Sequence, residues 1–413
     1  MRWLTDALYL LTVLVTVPFW LTRMALRGRL RTDWPGRLGA GPVLPTAQGR
    51  RILLHAVSVG EVNAIRTLVS LLEKEGGVEV VIASTTDTGY ARAQSLFGQD
   101  HDVVRYPLDF SWSVRKFLAR VAPDAVGLVE LEVWPNFVAA CQQKCIPVMV
   151  INGRLSPRSF RRYRLIRALL RPSFRRLAGV MAQSQPYADR FIAMGAIAAR
   201  VHVASSLKWD NASSTPDGAD KLAEELGVDR DRLVIVAGST APEEHQLLHD
   251  AVQPGIQLIC APRRPEWFES AAQVMQGCTR RTKDCRGTNP DRYLLDTIGE
   301  LSQAYALADI VVIGRSFGER HGSDPAEPAG MGKPVVIGPA TDDFLEMVEI
   351  LGNADGLIQC NAEALPEVLG GLAANSDRRS QLSSNALDAM KSRQGGSSAT
   401  LQALLAMDRS VGE

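Results

Sequence analysis

The sequence has no Cys-x-x-Cys pair and no Cys/His cluster at zinc spacing, which argues against the common structural zinc folds. Its six cysteines, Cys141, Cys145, Cys260, Cys278, Cys285 and Cys360, read instead as reduced thiols of a cytosolic compartment. No G-x-G-x-x-G follows a strand-like run, which disfavours a dehydrogenase, and no G-x-x-x-x-G-K-[ST] occurs, which excludes a P-loop enzyme. Net charge is nearly absent: 46 Lys and Arg stand against 45 Asp and Glu, giving +1. That balance argues against a nucleic-acid partner recruited by global charge. His245 and His249 lie four apart without a third ligand nearby in sequence, so no metal site is assigned. What remains is a 413-residue chain, 46% apolar and 22% charged, long enough for about two or three folded domains.

The N-terminus carries an apolar stretch, ALYLLTVLVTVPFWL over Ala7–Leu21, shorter than the ~20 residues that span a bilayer comfortably. Pro18 lies within it, no small-residue cleavage site follows, and Arg23, Arg27, Arg29, Arg31 and Arg37 come next. Such arginines hold the following chain on the cytoplasmic side and attract anionic lipid. Residues 1–30 are therefore expected to form an uncleaved anchor at the cytoplasmic face of the inner membrane; the alternative is a hydrophobic helix packed on the protein itself.

From Arg51 onward, short β-branched runs alternate with helix-like stretches. Ile52–Val57, Val78–Ala83, Ala125–Val129 and Pro147–Ile151 read as buried parallel strands; a polar linker spans Asn211–Gly218; Leu233–Ala237, Ile256–Cys260, Ile310–Ile313 and Pro334–Ile337 resume the pattern. The expected fold class is α/β, with two doubly wound Rossmann-like domains facing a central cleft. The expected boundaries are 48–208 for the first domain, 231–390 for the second and 391–413 for a C-terminal helix. Ligands in such folds bind beyond the carboxyl ends of the strands.

The polar residues at those strand ends are the candidates. After the first strand comes HAVSVGE, His55 to Glu61. Glu61 is placed for a general base, yet Ser58 and Glu61 also have capping-box spacing, and position alone does not choose between them. Glu130 and Glu132 follow the strand Ala125–Val129 in ELEVWPN, costly residues to bury without partners. Then NGRLS opens a stretch with nine arginines between Arg154 and Arg176 and no acid: Arg154, Arg158, Arg161, Arg162, Arg164, Arg167, Arg171, Arg175 and Arg176. A solvated helix face normally mixes both signs. Guanidinium grips phosphate bidentately, so phosphate or anionic lipid is the favoured partner, with RNA the competing one.

In the second half, Thr240 and Glu243 have capping-box spacing with Pro242 in the first turn, so a helix with free amides is expected there as an anion site. Arg263 stands beyond the strand Ile256–Cys260, where it can neutralise a leaving phosphate. Gly314, Arg315, Ser316, Phe317 and Gly318, then Gly322, Ser323, Asp324, Pro325, Ala326 and Glu327, make a Gly-rich loop opening onto a helix. Asp324 suits an N-cap there, so Glu327 has a structural explanation as well.

HAVSVGE, ELEVWPN, NGRLS, AQS (Ala182–Ser184), LKWD (Leu207–Asp210), AGST (Ala237–Thr240), PRRPE (Pro262–Glu266), IGEL (Ile298–Leu301) and DPAEPAGMGKPVVIGP (Asp324–Pro339) occur in this order. The ordered set resembles the 3-deoxy-D-manno-octulosonic acid (Kdo) transferases of lipopolysaccharide synthesis, over roughly residues 1–350. The resemblance implies a GT-B glycosyltransferase, inverting and without metal or other cofactor, that moves Kdo from CMP-Kdo to a lipid A precursor. It implies Glu61 as general base and Glu130 or Glu132 as a further acid. Arg154, Arg158, Arg161 and Arg162 would face the acceptor. Ser239, Thr240, Arg263, Ser316, Gly322, Asp324 and Glu327 would face the donor, with Lys208 near them. The chain departs from the family's pattern at Ser205, Ser206, Arg264, His321, Ser323, Asp324, Ala340 and Asp343. Two other readings stay open: a different GT-B enzyme, transferring another lipid-linked sugar or epimerising a nucleotide sugar, and a catalytically weak relative that binds lipid or nucleotide.

Overall fold

Strands that are apolar on both faces are stable only in the middle of a covered sheet. In a computed structural model, which describes residues 6, 9, 10, 32–212, 216–283 and 285–407, the β-branched runs build two such sheets. One unit comprises Met1–Asp210 with Gln394–Glu413, and the other Asn211–Arg393. The expected anchor, residues 1–30, lies outside the described residues except for Asp6, Tyr9 and Leu10. Among the described residues no helix is long and apolar enough to cross a membrane.

The first unit carries β1 (Arg50–His55), β2 (Val78–Ser84), β3 (Asp102–Arg105), β4 (Ala125–Val129), β5 (Val148–Gly153), β6 (Gly179–Ala182) and β7 (Val201–Val203). They lie in the order β3-β2-β1-β4-β5-β6-β7, parallel throughout. Every residue of β4 and β5 is buried, which is why their sequence runs apolar without alternation. The last helix, Gly396–Leu405, belongs to this unit: Leu401 and Leu404 pack with Ile52, Leu54 and Ile151. Asp210, the acid of LKWD, fixes the start of that segment by accepting from the N–H of Gly395 (2.7 Å) and of Ser397 (2.6 Å).

The second unit repeats the plan with β8 (Val234–Thr240), β9 (Gln257–Pro262), β10 (Thr279–Arg280), β11 (Arg292–Leu294), β12 (Ile310–Ile313), β13 (Val335–Ile337) and β14 (Leu357–Gln359), in the order β10-β11-β9-β8-β12-β13-β14. The strands expected from sequence are present to within two residues at their ends, except that β8 runs three residues further, to Thr240. The strands it did not indicate, β3, β6, β7, β10, β11 and β14, have four residues or fewer; β12 and β13 are as short but are unbroken runs of Val and Ile, which is the signal that exposed them.

In each sheet the order reverses at one place, between β1 and β4 and between β8 and β12. Connections leave in opposite directions there, so the carboxyl ends part and open a crevice. The backbone is strained at the same places. Of the eight described non-glycine residues with left-handed φ, Glu130 (60°), Asn152 (51°), Ser239 (57°) and Arg315 (61°) sit at or just past the ends of β4, β5, β8 and β12. An L-residue held there costs roughly 1–2 kcal/mol, less for Asn. Strain of this kind collects at ligand sites.

Candidate active site

In the first unit, β1 runs into the short helix Val59–Ala64, with Ser58 as its N-cap. The capping box expected of Ser58 and Glu61 forms in part: Ser58 caps the helix, but the Glu61 carboxylate reaches the N–H of Val57 rather than that of Ser58. The Glu61 N–H donates to Ser58 Oγ (3.4 Å), the Ser58 hydroxyl donates to Glu61 Oε1 (2.9 Å), and the Val57 N–H donates to Oε2 (2.9 Å). Each carboxylate oxygen keeps a further lone pair, so capping does not exhaust the group. Glu61 is half-buried. Burial pushes its carboxyl up to about 7, with the charges of Glu130 and Glu132 adding to the effect and the two donated hydrogen bonds opposing it.

Glu130 and Glu132 reach that neighbourhood because β4 ends beside β1, across the reversal of strand order. The Glu130 N–H bonds Ile151 O (3.0 Å) and its carbonyl accepts from the Arg154 N–H (3.4 Å), so the ELEVWPN and NGRLS segments are knitted together. Glu132 accepts from the Trp134 indole (2.7 Å) and is raised by burial, and further by Glu130. Behind this loop Asp109, not singled out from sequence, holds the start of the helix Pro135–Gln143. Its carboxylate accepts from the N–H of Asn136 (3.0 Å) and Phe137 (2.7 Å) and from the Tyr9 hydroxyl (3.0 Å). Asp6 holds the next helix start, at Ser111 (3.0 Å to its N–H), and accepts from Asn136 Nδ2 (2.8 Å). An isolated Asp after a short strand carries no motif, so only its tertiary partners disclose its role.

Asn152 turns β5 back across the unit. Its Oδ1 accepts from the Leu207 N–H (3.1 Å) and the Ser206 hydroxyl (3.2 Å), joining NGRLS to LKWD. Arg158, Arg161 and Arg162 are exposed along the helix Pro157–Leu165, Arg154 is exposed just before it, and Lys208 is exposed in this same unit.

In the second unit the local chemistry differs from the sequence expectation at one point. The expected Thr240/Glu243 capping box does not form; Glu244 caps instead. The buried Glu244 carboxylate accepts from the N–H of Ala241 (3.0 Å), Arg315 (2.6 Å) and Phe317 (3.0 Å). The register shifts by one because Thr240 ends β8 and points inward, where its hydroxyl meets His245 Nε2 (3.1 Å) and Cys260 Sγ (3.4 Å). Glu243, left outside, pairs with Arg320. The amides expected to await an external anion thus already hold an internal one.

Ser316 is also spent within the fold: it donates to Ile313 O (2.6 Å) and accepts from the Gly338 N–H (2.8 Å), tying β12 to the end of β13. Gly314 lets β12 close on β8, since a Cβ there would stand 2.6 Å from Thr240 Cα. Gly322 is buried with φ +80°, and Ser239 is buried at its left-handed turn. Asp324 accepts from the Ala326 N–H (2.9 Å), and Glu327, on the helix Ala326–Gly330, accepts from the Ser302 hydroxyl.

What this crevice presents is positive charge. Arg263 is exposed past β9. Arg315, past β12, has its guanidinium lowered by burial and then by the charge of Arg263, with Asp343 opposing and Arg264 and Arg320 adding smaller effects. Arg264 and Arg320 lie over the Trp267 ring at 5.0 and 4.9 Å from its centroid. Arg315 could have been found by the logic applied to Arg263, an arginine directly beyond a parallel strand, whereas Arg320 lies seven residues past β12 and carries no such signal.

The family model for 3-deoxy-D-manno-octulosonic-acid transferase (kdotransferase) matches residues 32–211. A 3-deoxy-D-manno-octulosonic acid transferase of Bordetella pertussis is 33% identical over 348 residues, covering 79% of this chain and 80% of that protein. One of Haemophilus influenzae is 29% identical over 367 residues, covering 85% of each. Among solved structures, UDP-GlcNAc 2-epimerase of Neisseria meningitidis superposes with a TM-score of 0.61 at 13% identity, covering 86% of this chain and all of that one. MurG of Acinetobacter baumannii gives 0.55 at 15% identity, covering 87% and 100%. These two likenesses establish a GT-B-like fold, and the sequence relatives go further: the chain belongs to the 3-deoxy-D-manno-octulosonic acid transferase family.

Proposed function

We propose that the protein transfers Kdo from CMP-Kdo to a lipid A precursor at the cytoplasmic face of the inner membrane. The first unit binds the acceptor and the second the donor. Glu61 removes the proton of an acceptor sugar hydroxyl as that oxygen attacks the anomeric carbon of Kdo. The bond from that carbon to the phosphate oxygen breaks, the configuration inverts, and CMP departs carrying the electron pair as a phosphate monoester. Arg263 and Arg315 offset the charge that develops on it. Glu130 and Glu132 keep the Glu61 carboxyl basic enough to work near neutral pH, and Arg158, Arg161 and Arg162 engage the phosphates of the acceptor. The observation that carries this reading is a half-buried carboxyl, raised by burial and by two neighbouring acids, at the crevice of one unit, in a chain whose other unit sets arginines past its strand ends. The test is purified protein with CMP-Kdo and a tetraacylated lipid A precursor in detergent, followed by mass spectrometry of the lipid. One or more added Kdo masses are expected, and their number gives the count of sugars transferred. An unchanged lipid with fresh donor would overturn the reading.

A further inference from the structure

The arginine-rich stretch is two helices, Pro157–Leu165 and Arg167–Arg175, broken at Ile166 (φ −110°, ψ 19°). Their inner side is occupied: Phe160 and Tyr163 pack against the core of the first unit, with Leu170 and Phe174 buried in it. At the break the chain turns apolar side chains outward. Leu165 is 87% exposed and Ile166 51% exposed, the first the most exposed of the large apolar residues described. A single exposed Leu needs no explanation. Two adjacent branched aliphatics at the tip of a fixed turn, in a stretch of nine arginines without an acid, do need one.

We propose that the Leu165–Ile166 tip inserts into the acyl region of an anionic bilayer while Arg164 and Arg167, which flank it, bind lipid headgroup phosphates. Charge complementarity selects this occupant. Arg161, Arg162, Arg164 and Arg167 surround the tip in sequence and are exposed, so an apolar protein partner would have to bury several unpaired guanidiniums, whereas a phospholipid surface offers phosphate directly above hydrocarbon. The tip is then an attachment point in the folded body of the chain, separate from the N-terminal apolar stretch. It orients the first unit on the surface that holds its lipid acceptor. The orientation rests on the proposed function; the insertion does not.

The test uses the full-length protein with Leu165→Trp, a change at a side chain with almost no packing to lose. Emission is compared with that of the unaltered protein, which has seven tryptophans of its own. Phosphatidylglycerol vesicles with brominated acyl chains should quench the added emission about twofold or more, since bromine quenches only at contact depth. Phosphatidylcholine vesicles with the same chains should not, and about 0.5 M salt should weaken the effect by screening. If the protein floats with the anionic vesicles while the added emission is unquenched, the tip does not insert and the proposal falls. A concentration-dependent blue shift without vesicles, showing a second copy of the chain covering the tip, would overturn it equally. Quenching without Kdo transfer would sink the proposed reaction alone, and transfer without quenching would sink this inference alone.

Discussion

The first strand of each unit ends in the same device, and the two copies differ in how far their surroundings saturate them. After β1, Glu61 folds back onto the N-terminus of its helix; after β8, Glu244 does the same. Both carboxyls sit beside the reversal of strand order and both are raised by burial. Glu244 is 1% exposed and takes three backbone N–H groups from two loops. Glu61 is half-buried, takes one N–H and one hydroxyl, and has two further carboxylates as neighbours. A capping glutamate is thus a fixture of this architecture. Whether it is also available for chemistry is decided by how many donors saturate it and whether the crevice around it is acidic or basic.

The largest expected effect separates the two glutamates. Glu61→Gln keeps the shape and an acceptor oxygen for the cap, so thermal stability should change little, while loss of the base should lower kcat by about 10²–10⁴. Equal losses of stability and activity would return Glu61 to the role Glu244 plays. The unaltered enzyme should lose kcat/KM as pH falls through about 7, because the base must be ionised. Stability should run the other way. A carboxyl raised in the folded state contributes fully below its unfolded value near 4.5, and that contribution is lost as pH rises through about 7.

Next in size is the charge contrast. Arg263→Ala should raise the KM for CMP-Kdo about tenfold or more, the scale of one charge-assisted hydrogen bond, and leave the acceptor KM alone. Arg158→Ala, Arg161→Ala and Arg162→Ala together should do the reverse. Equal effects of either set on both substrates would erase the division between units. A smaller effect, in stability alone, belongs to Glu244→Gln. It replaces one of the two acceptor oxygens by a donor facing backbone N–H groups, which should cost about 1–3 kcal/mol in denaturant unfolding.

Residues at the ends of long strands were legible from sequence because a buried parallel strand announces itself as an unbroken apolar run, and whatever polar residue follows it stands at the crevice. Glu61, Glu130 and Arg263 were found in that way. Thr240 and Ser316 were read correctly as strand-end residues, but their hydroxyls are turned into the fold, a matter of side-chain direction that spacing does not encode. The capping partner was misplaced by one residue because Glu243 and Glu244 are adjacent and only the inward turn of Thr240 selects the second. The C-terminal helix was expected from sequence, but its attachment to the first unit through Asp210, like the role of Asp109, depends on contacts far apart in the chain, which no local pattern reports.

The subtlest comparison lies inside the cap itself. In the proposed mechanism Glu61 serves as a base near neutrality because burial and two neighbouring acids, which raise its carboxyl, outweigh the Ser58 hydroxyl and Val57 N–H, which lower it. Ser58→Ala removes one of the lowering influences without touching the carboxyl. It also removes the N-cap, which costs about 1 kcal/mol of helix stability. The acidic limb of the kcat/KM profile should therefore move to higher pH by a fraction of a unit. Activity at pH 7 should fall about twofold and return above pH 8, where the base is ionised again. A drop that persists at high pH would mean that Ser58 acts through the placement of Glu61. A shift toward lower pH would mean that its hydroxyl accepts from the protonated acid, and Glu61 would then resemble the saturated Glu244 more than a free base.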